Sequence, residues 1–274
     1  MKKLLFWLML VPCLVFGQTS NYHTLNRGVV HDIITDIAIG IVPNTSLVTV
    51  FGYYPNVDSG ASNVNLWELG TAWSILTSAS TMELLSSSAN DTAAGTGCRT
   101  VLTQGLDANY NQIQETTNTN GTSAVALSNS YLVINASTCI VDGSGNVNAG
   151  NITTRVTSAG ATQAYIATGA GASHLGRYTV PAGYTLVLKN FFTQANKAGN
   201  QSISANVNAV IVLPGGNLIQ GLPQTIVNGS NPTITVPTGA ALTEKQTFEF
   251  QIASVSSTGI NVGAGASGIL IKNP

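Results

Sequence analysis

The residues best suited to acid–base chemistry are few and widely separated in this sequence. Its histidines are His23 and His31, in a predicted N-terminal arm, and His174, in a loop rich in Gly, Ala and Ser. Proton-transfer catalysis needs groups of matched pKa within hydrogen-bonding reach of one another. Because a lone loop histidine is more often solvated than catalytic, we expect all three to be solvated. The sequence contains no nucleophile elbow, zinc-binding His-Glu motif or phosphate-binding loop.

Three carboxylates near one predicted hairpin are the best candidates for a catalytic pair. Asp91, Asp107 and Glu115 could face one another there, and paired acids hydrolyse glycosidic bonds. Aspartate is also common in turns, where its side chain accepts a hydrogen bond from the nearby backbone. We therefore favour structural roles in turns for these residues, and we expect no enzymatic activity.

The cysteines and the acidic loop at 142–146 are the candidates for cross-linking or metal binding. Cys98 and Cys139 each lie at the end of a predicted strand, so they could form a disulfide in an oxidising compartment. The alternative is two small buried side chains. Asp142-Gly-Ser-Gly-Asn146 alternates oxygen ligands but lacks the later acidic ligands of a calcium loop. A hairpin turn is favoured, and no metal or cofactor is expected.

The densest aromatic cluster consists of Tyr53, Tyr54, Trp67 and Trp73. If these rings are exposed, they form a platform for sugar stacking or protein docking. If they are buried, they fill the core of the first β region, and this alternative is favoured.

Charge is scarce in this chain. Charged residues make up 8% of its 274 residues, and the formal net charge is −1, whereas about 25% is usual in soluble proteins. No basic stripe is present to neutralise phosphates, so direct binding to nucleic acid is not expected. So little charge favours a subunit packed among copies over a freely diffusing protein. The scattered cations are interpreted as strand-edge or intersubunit pairing residues: Arg99, Arg155, Arg177 and Lys245.

Residues 1–17 have the pattern of a secretory signal peptide. Lys2 and Lys3 precede an apolar run from Leu4 to Phe16, and the small-residue cleavage pattern makes Gln18 the first mature residue. The run is too short for an ordinary transmembrane helix, which needs about 20 residues. The alternative is a short hydrophobic anchor that is never cleaved. We expect no membrane contact beyond this leader.

Short segments of alternating polarity, rich in Thr and Val, predict an all-β fold. Turn signals recur about every 8–12 residues, which is typical of sandwiches and jelly rolls. We predict two consecutive antiparallel β-sandwich or jelly-roll-like domains after an N-terminal arm. The predicted division is a leader at 1–17, the arm at 18–44, β domain 1 at 45–157 and β domain 2 at 158–274.

Local sequence patterns also predict the structure of four short segments. Residues 33–37 of the arm could form a strand, and residues 63–72 are the best short helix candidate. Residues 184–188 and 191–195 are predicted as separate strands. Near the end of the chain, residues 259–264 are predicted to pair with a final strand at 268–271.

Several stretches resemble a family of tailed-phage virion structural proteins. In chain order they are Phe51–Gly60 with Trp67, Leu85–Gly97, Arg99–Val101, Gly105–Asn111, Asn120–Thr122, Tyr178–Thr185 and Leu242–Lys245. The likeness covers roughly residues 47–274 and is most specific over 85–111, which runs without a gap. Cys98 departs from the family pattern, which usually has a small residue such as Ala there. The signal-like leader is a second departure.

The resemblance implies a component of the particle, as head decoration, minor capsid protein or tail protein, with no catalytic residues to carry over. We expect a trimer or larger assembly that packs with itself and with other virion proteins, located in the virion. The alternative is a secreted adhesin or carbohydrate-binding module, released by cleavage near Gly17–Gln18. A third class, glycan hydrolases, requires two carboxyl groups about 5–10 Å apart in a groove.

Overall fold

The computed structural model describes residues 33–198, 202–214, 216–227 and 233–274. The leader, residues 18–32 of the predicted arm, His23 and His31 lie outside these residues. In the described part, the chain forms sixteen strands and one short helix, and every strand pairing is antiparallel. The all-β prediction is therefore confirmed, whereas the jelly-roll connectivity stays a prediction.

Two sheets contain the first two strands and the last seven strands of the described chain. The strands are β1 Thr45–Val57, β2 Val64–Asn65, β10 Arg177–Thr179, β11 Tyr184–Asn196, β12 Ser204–Val212, β13 Leu218–Val227, β14 Thr233–Leu242, β15 Thr247–Val255 and β16 Ile260–Lys272. One sheet has the order β1-β16-β11-β14, and the other has the order β10-β15-β12-β13 with β2 on β15. Buried side chains from both sheets, including Val50, Leu186, Val207, Phe250 and Val262, form one cluster, the outer core.

Two further sheets are formed by the middle of the chain. Their strands are β3 Ser80–Ser86, β4 Cys98–Leu106, β5 Gln112–Asn118, β6 Val125–Tyr131, β7 Val133–Asp142, β8 Ile152–Val156 and β9 Thr162–Ile166. The sheet orders are β6-β3-β8-β9 and β5-β4-β7. Met82, Val101, Tyr131, Ile134 and Ile152 are among the residues of a second buried cluster, the inner core.

The inner core is nested within the chain segment of the outer core. Strand β1 pairs with β16, from Thr45 opposite Ile271 to Val57 opposite Ile260, so the seven inner strands lie between β2 and β10 in sequence. This grouping differs from the predicted division. The boundary at 157/158 falls inside the β8–β9 hairpin, and β1 lies among C-terminal strands. No local pattern reveals such a pairing, because its partners lie at opposite ends of the described chain.

Two local predictions near the N-terminal side are wrong, namely the strand at residues 33–37 and the helix at residues 63–72. Residues 33–37, predicted as a strand, belong to the helix α1, Ile33–Ala38. The helix packs against β1, but no strand pairing of the described residues includes this segment, and Gly40 with φ of +77° follows the helix, as is common at helix ends. Residues 63–72, predicted as a helix, form β2 and turns, because Val64 and Asn65 pair with β15 instead.

Strands β11 and β16 are each continuous where two strands were predicted. Strand β16 runs between β1 and β11, and its glycines lie under long side chains of β11. A Cβ on Gly265 would overlap the ring of Phe192, and a Cβ on Gly263 would lie 2.8 Å from Gln194 Nε2. The glycine run that suggests a turn is therefore a place of close packing inside a central strand.

The backbones of the outer strands and the connecting segments meet at Gly52 and Gly176. Gly176 N donates to Phe51 O over 3.0 Å, and Phe250 N donates to Gly176 O over 2.8 Å. A Cβ on Gly52 would overlap the carbonyl oxygen of Leu66 and lie 2.6 Å from Gly176 Cα. Since these neighbours are backbone atoms, they cannot rotate away as a side chain can.

We expect Gly52→Ala to lower the free energy of unfolding by at least about 2 kcal/mol, because relief of the overlap requires a backbone shift. Urea unfolding followed by circular dichroism measures the change. Gly60→Ala is the matched control, since a Cβ there has no heavy atom within 4 Å. Equal stability of the two variants would contradict the close approach.

Candidate functional site

Asp91 is fully buried and organises the loop before β4. Its carboxylate accepts hydrogen bonds from the Ser86 hydroxyl at 2.5 Å and from the backbone N–H groups of Cys98 at 2.7 Å, Ala149 at 2.8 Å and Gly150 at 2.9 Å. The carboxylate thus joins three separate segments of the inner core. Asp91 was predicted to be a turn residue, and the structure gives it this larger structural role.

Asp107 is a turn residue, as its position before a hairpin suggests. Its carboxylate accepts hydrogen bonds from the backbone of Asn109 and from the backbone and side chain of Asn111. Burial opposes ionisation of this group, but these hydrogen bonds outweigh burial and lower the pKa of Asp107 below its ordinary value.

Glu115 connects two sheets of the inner core instead of lying in a turn. From β5, it accepts hydrogen bonds from the backbone of Ser128 at 2.7 Å and of Asn129 at 3.0 Å, and from the Tyr131 hydroxyl at 3.0 Å. Burial, followed by the charge of Glu115, raises the pKa of Tyr131 well above its ordinary value. The hydroxyl therefore stays protonated and continues to donate.

The three candidate carboxylates do not converge on one place. Asp91 contacts Cys98 at the start of β4, and Asp107 follows Leu106 at its end. Nine residues of extended strand separate these two points by about 25 Å. Glu115 lies opposite Thr103 and is occupied by β6. This arrangement offers no acid pair of the kind that glycoside hydrolysis requires.

Cys98 and Cys139 form a disulfide in the structure, between the adjacent strands β4 and β7, with Cα atoms 5.9 Å apart. Asp142 Oδ1 lies 2.9 Å from Cys139 Sγ. Burial, and then the charge of Asp91, raises the pKa of Asp142. Potential metal-ligand atoms of Cys98, Cys139 and Asp142 lie within 4.8 Å of one another. A metal would require the reduced pair, because the thiolate is the ligand form of cysteine.

The aromatic residues singled out in the sequence divide between core and partly covered positions. Trp67 and Trp73 belong to the inner core, and their ring centroids lie 3.7 Å apart. Tyr53 and Tyr54 are half-buried on β1. The four rings therefore do not form one open platform.

The Trp73 ring stacks on a buried cation, Arg177, which the sequence predicts to lie at a strand edge or between subunits. Arg177 Cζ lies 3.6 Å from the Trp73 ring centroid, and Arg177 is 6% exposed. Burial lowers the pKa of Arg177 to about 10, while the charge of Glu249 opposes this change. The guanidinium therefore remains charged at neutral pH. Arg177 begins β10 directly after the segment that connects the inner core to the outer core. Its guanidinium therefore lies between the two cores.

The other three cations considered in the sequence, Arg99, Arg155 and Lys245, also contact groups of their own chain. Arg155 Nε lies 2.7 Å from Glu83 Oε1, and Arg99 Nε donates to Gly95 O over 2.8 Å. The Arg155 hydrogen bond is the main cause of a lowered Glu83 pKa. Lys245 lies 5.7 Å from the Tyr110 ring centroid. Of the predicted strand-edge or intersubunit roles, Arg177 has the first, since it lies on the edge strand β10, and its burial leaves no intersubunit role. For Arg99, Arg155 and Lys245 the intersubunit role stays a prediction.

His174 is not the solvated loop residue that its sequence context suggests. Its Nδ1 lies 2.9 Å from Glu68 Oε1, and its ring packs edge-on to Phe51 at 5.0 Å. Glu68 Oε2 also accepts the backbone N–H of Ala167 at 3.1 Å. Among the described residues, no hydroxyl or thiol bonds the second ring nitrogen, so the pair has no nucleophile to activate. Because 106 residues separate Glu68 from His174, no local sequence pattern links them.

A group of exposed aliphatic side chains lies at the N-terminal side of the described chain. We call it the apolar surface, and it consists of Ile33 at 58% exposed, Ile34 at 38%, Ile39 at 61%, Ile41 at 54%, Leu47 at 42% and Ile271 at 37%. Ile271 joins the group because it pairs with Thr45 across β1 and β16. The sole helix of the described residues, α1, lies here and is too short to cross a membrane.

Comparisons with known proteins give no assignment. No family model matches the chain, and no curated protein matches it. Aligned solved structures include the Gx strain of infectious bursal disease virus, its Gt strain and its VP2 subviral particle, with identities of 10%, 9% and 10%. The alignments cover 84% of this chain and 73%, 73% and 72% of those chains, with TM-scores of 0.25, 0.23 and 0.20. Scores this low carry no conclusion about this chain.

We expect Asp91→Asn to lower the free energy of unfolding by about 3 kcal/mol. The side-chain amide nitrogen of the new asparagine would face buried backbone N–H groups, which cannot donate to it. These donors would also lose the charged carboxylate that accepts their hydrogen bonds. Urea unfolding measures the change, with Asp58→Asn in an exposed loop as the matched control. If Asp91→Asn were as stable as the control, the buried carboxylate would not hold the three segments together.

Proposed function

We propose that this chain is a non-enzymatic structural subunit that assembles with copies of itself, as a component of a phage particle. The observation that carries the proposal is the apolar surface. Six exposed aliphatic side chains are grouped there in a chain with 8% charged residues. They lie on α1, on the segment that follows it and on the paired strands β1 and β16, and α1 contacts β1. Exposed apolar side chains concentrated in one part of a protein are typical of protein contact sites.

The strand beside the apolar surface supports a second copy as its partner. Strand β1 is at the edge of its sheet, and residues 37–57 contain no charged side chain. Edge strands of monomeric proteins are usually protected against pairing by charges, bulges or coverage. On its outer side, β1 forms one described β-bridge, between Gly52 and Leu175, so Thr45–Val50 has no described strand paired there, and helix α1 is the described element that packs against β1 before that point. An uncharged edge offers nothing to repel an identical chain.

The hydrogen-bonded carboxylates support a structural role over catalysis. Asp91, Asp107 and Glu115 each bind backbone N–H groups of their own chain. Such groups hold loops and sheets in place and are not free for proton transfer. We propose a trimer or larger assembly, with other virion proteins as further partners and the virion as its location.

The second candidate is a secreted adhesin or carbohydrate-binding module, and the Cys98–Cys139 disulfide favours it. Disulfides persist mainly in oxidising compartments, which fits export directed by the leader.

Mass spectrometry of the protein from its native source distinguishes the two candidates. For a particle subunit, we expect stoichiometric copies that start at Met1 in purified particles. A soluble monomer that starts at Gln18 and yields a bridged Cys98–Cys139 peptide without reduction would exclude the assembly proposal and favour the exported module.

We expect Ile39→Lys to weaken self-association at least about tenfold, since a lysine in an apolar contact removes about 1.4 kcal/mol or more. Sedimentation velocity over a concentration series measures the change. Leu218→Lys is the matched control, because Leu218 is 60% exposed, like Ile39 at 61%, but lies on β13. Equal effects of the two substitutions, or no effect of Ile39→Lys, would contradict the assigned surface.

A further inference from the structure

A cavity of about 70 Å³ lies beside Arg177 where the outer and inner cores meet. Its walls combine apolar side chains, Leu132 and Val133 on the inner side and Val212 and Leu213 on the outer side, with neutral polar side chains such as Gln163. Arg177, Glu249 and Lys245 are the charged groups that line it. An apolar pocket with a few polar groups is the usual form of a small-ligand site.

The Arg177 guanidinium has unused hydrogen-bond donors in this cavity. Of its five N–H groups, one donates to Gln163 O over a long 3.4 Å, and the buried Nε has no partner. Trp73 covers one face of the group, so its donors point outward in the guanidinium plane. Because an unsatisfied buried charge is costly, an acceptor in the cavity would stabilise the site.

Glu249 does not supply that acceptor. It lies opposite Arg177 in the β10–β15 pairing, but no hydrogen bond joins these two described side chains. Glu249 Oε1 instead accepts the Gln251 side-chain N–H over 2.6 Å. The two cations and one carboxylate leave the cavity with one net positive charge.

We infer that this cavity binds a monocarboxylate with a short aliphatic body, whose carboxylate lies against the Arg177 guanidinium. A carboxylate matches the planar donor pair of an arginine with two parallel hydrogen bonds. The apolar side chains of the walls suit an aliphatic body, and Glu249 disfavours the dianionic charge of a phosphate. The carboxylate belongs either to a free organic acid or to an acidic side chain of a neighbouring copy.

Isobutyrate is a suitable probe, with neutral isobutyramide as its matched control at constant ionic strength. Tryptophan emission reports binding, because Trp73 stacks on the guanidinium, and thermal unfolding provides a second readout. We expect a saturable change in emission and a rise in Tm with isobutyrate but not with isobutyramide. No saturable response, or equal responses to both compounds, would overturn the proposal and indicate a cavity that holds only water or any apolar group.

Two substitutions test the assigned contacts. Arg177→Lys keeps the charge but loses the planar donor pair, so we expect isobutyrate to bind about tenfold more weakly. Arg155→Lys is the matched control and should bind normally, because Arg155 pairs with Glu83 and does not line the cavity. If Arg177→Lys does not fold, Val133→Phe retains Arg177 and fills the cavity, and it should abolish the response. Normal binding by Val133→Phe would overturn the proposal.

Light scattering with saturating isobutyrate identifies the source of the natural carboxylate. A fall in oligomer mass indicates that the probe displaces an acidic side chain of a neighbouring copy. An unchanged mass indicates a site for a free organic acid. Either result, together with the saturable response, supports the carboxylate site.

Discussion

The pairing of β1 with β16 is the constraint on which the rest of the structure depends. It joins the first described strand to the last. The outer core therefore contains strands from both ends of the described chain, and the segment between them forms the inner core. The return of the chain to the outer core is tight, because Gly52 and Gly176 meet backbone to backbone. The Glu68–His174 pair and the Trp73–Arg177 stack join the outgoing and returning segments. These contacts therefore depend on the same strand pairing.

Individual strands could be predicted from the sequence because alternation is a local property. Strand β4 alternates as predicted, with buried Val101 and Thr103 between partly exposed neighbours, and the Thr- and Val-rich composition is consistent with an all-β fold. Pairing between distant strands has no local signal, so the nesting of the two cores was missed. Glu68 and His174 were missed for the same reason. Asp91 offered a partial signal, since Gly95 and Gly97 follow it and allow a close backbone approach.

Several of the few charged side chains among the described residues hold separate parts of the chain together. Asp91 binds three segments, Glu115 joins two sheets, and Arg155 pairs with Glu83. Strand β1 itself carries no charged side chain, and exposed aliphatic side chains lie near its start. A neutral edge strand beside exposed isoleucines is unfavourable for a protein that must stay monomeric. The same features suit a subunit whose surface is covered by its neighbours.

Amide hydrogen exchange of the assembled and dissociated protein tests this claim most directly. The comparison follows peptides from residues 33–50 at high and low protein concentration. We expect assembly to protect these amides, because the unpaired side of β1 and the apolar surface become covered. Exchange in this segment that is unchanged by concentration, with protection elsewhere or nowhere, would contradict the proposed mode of assembly.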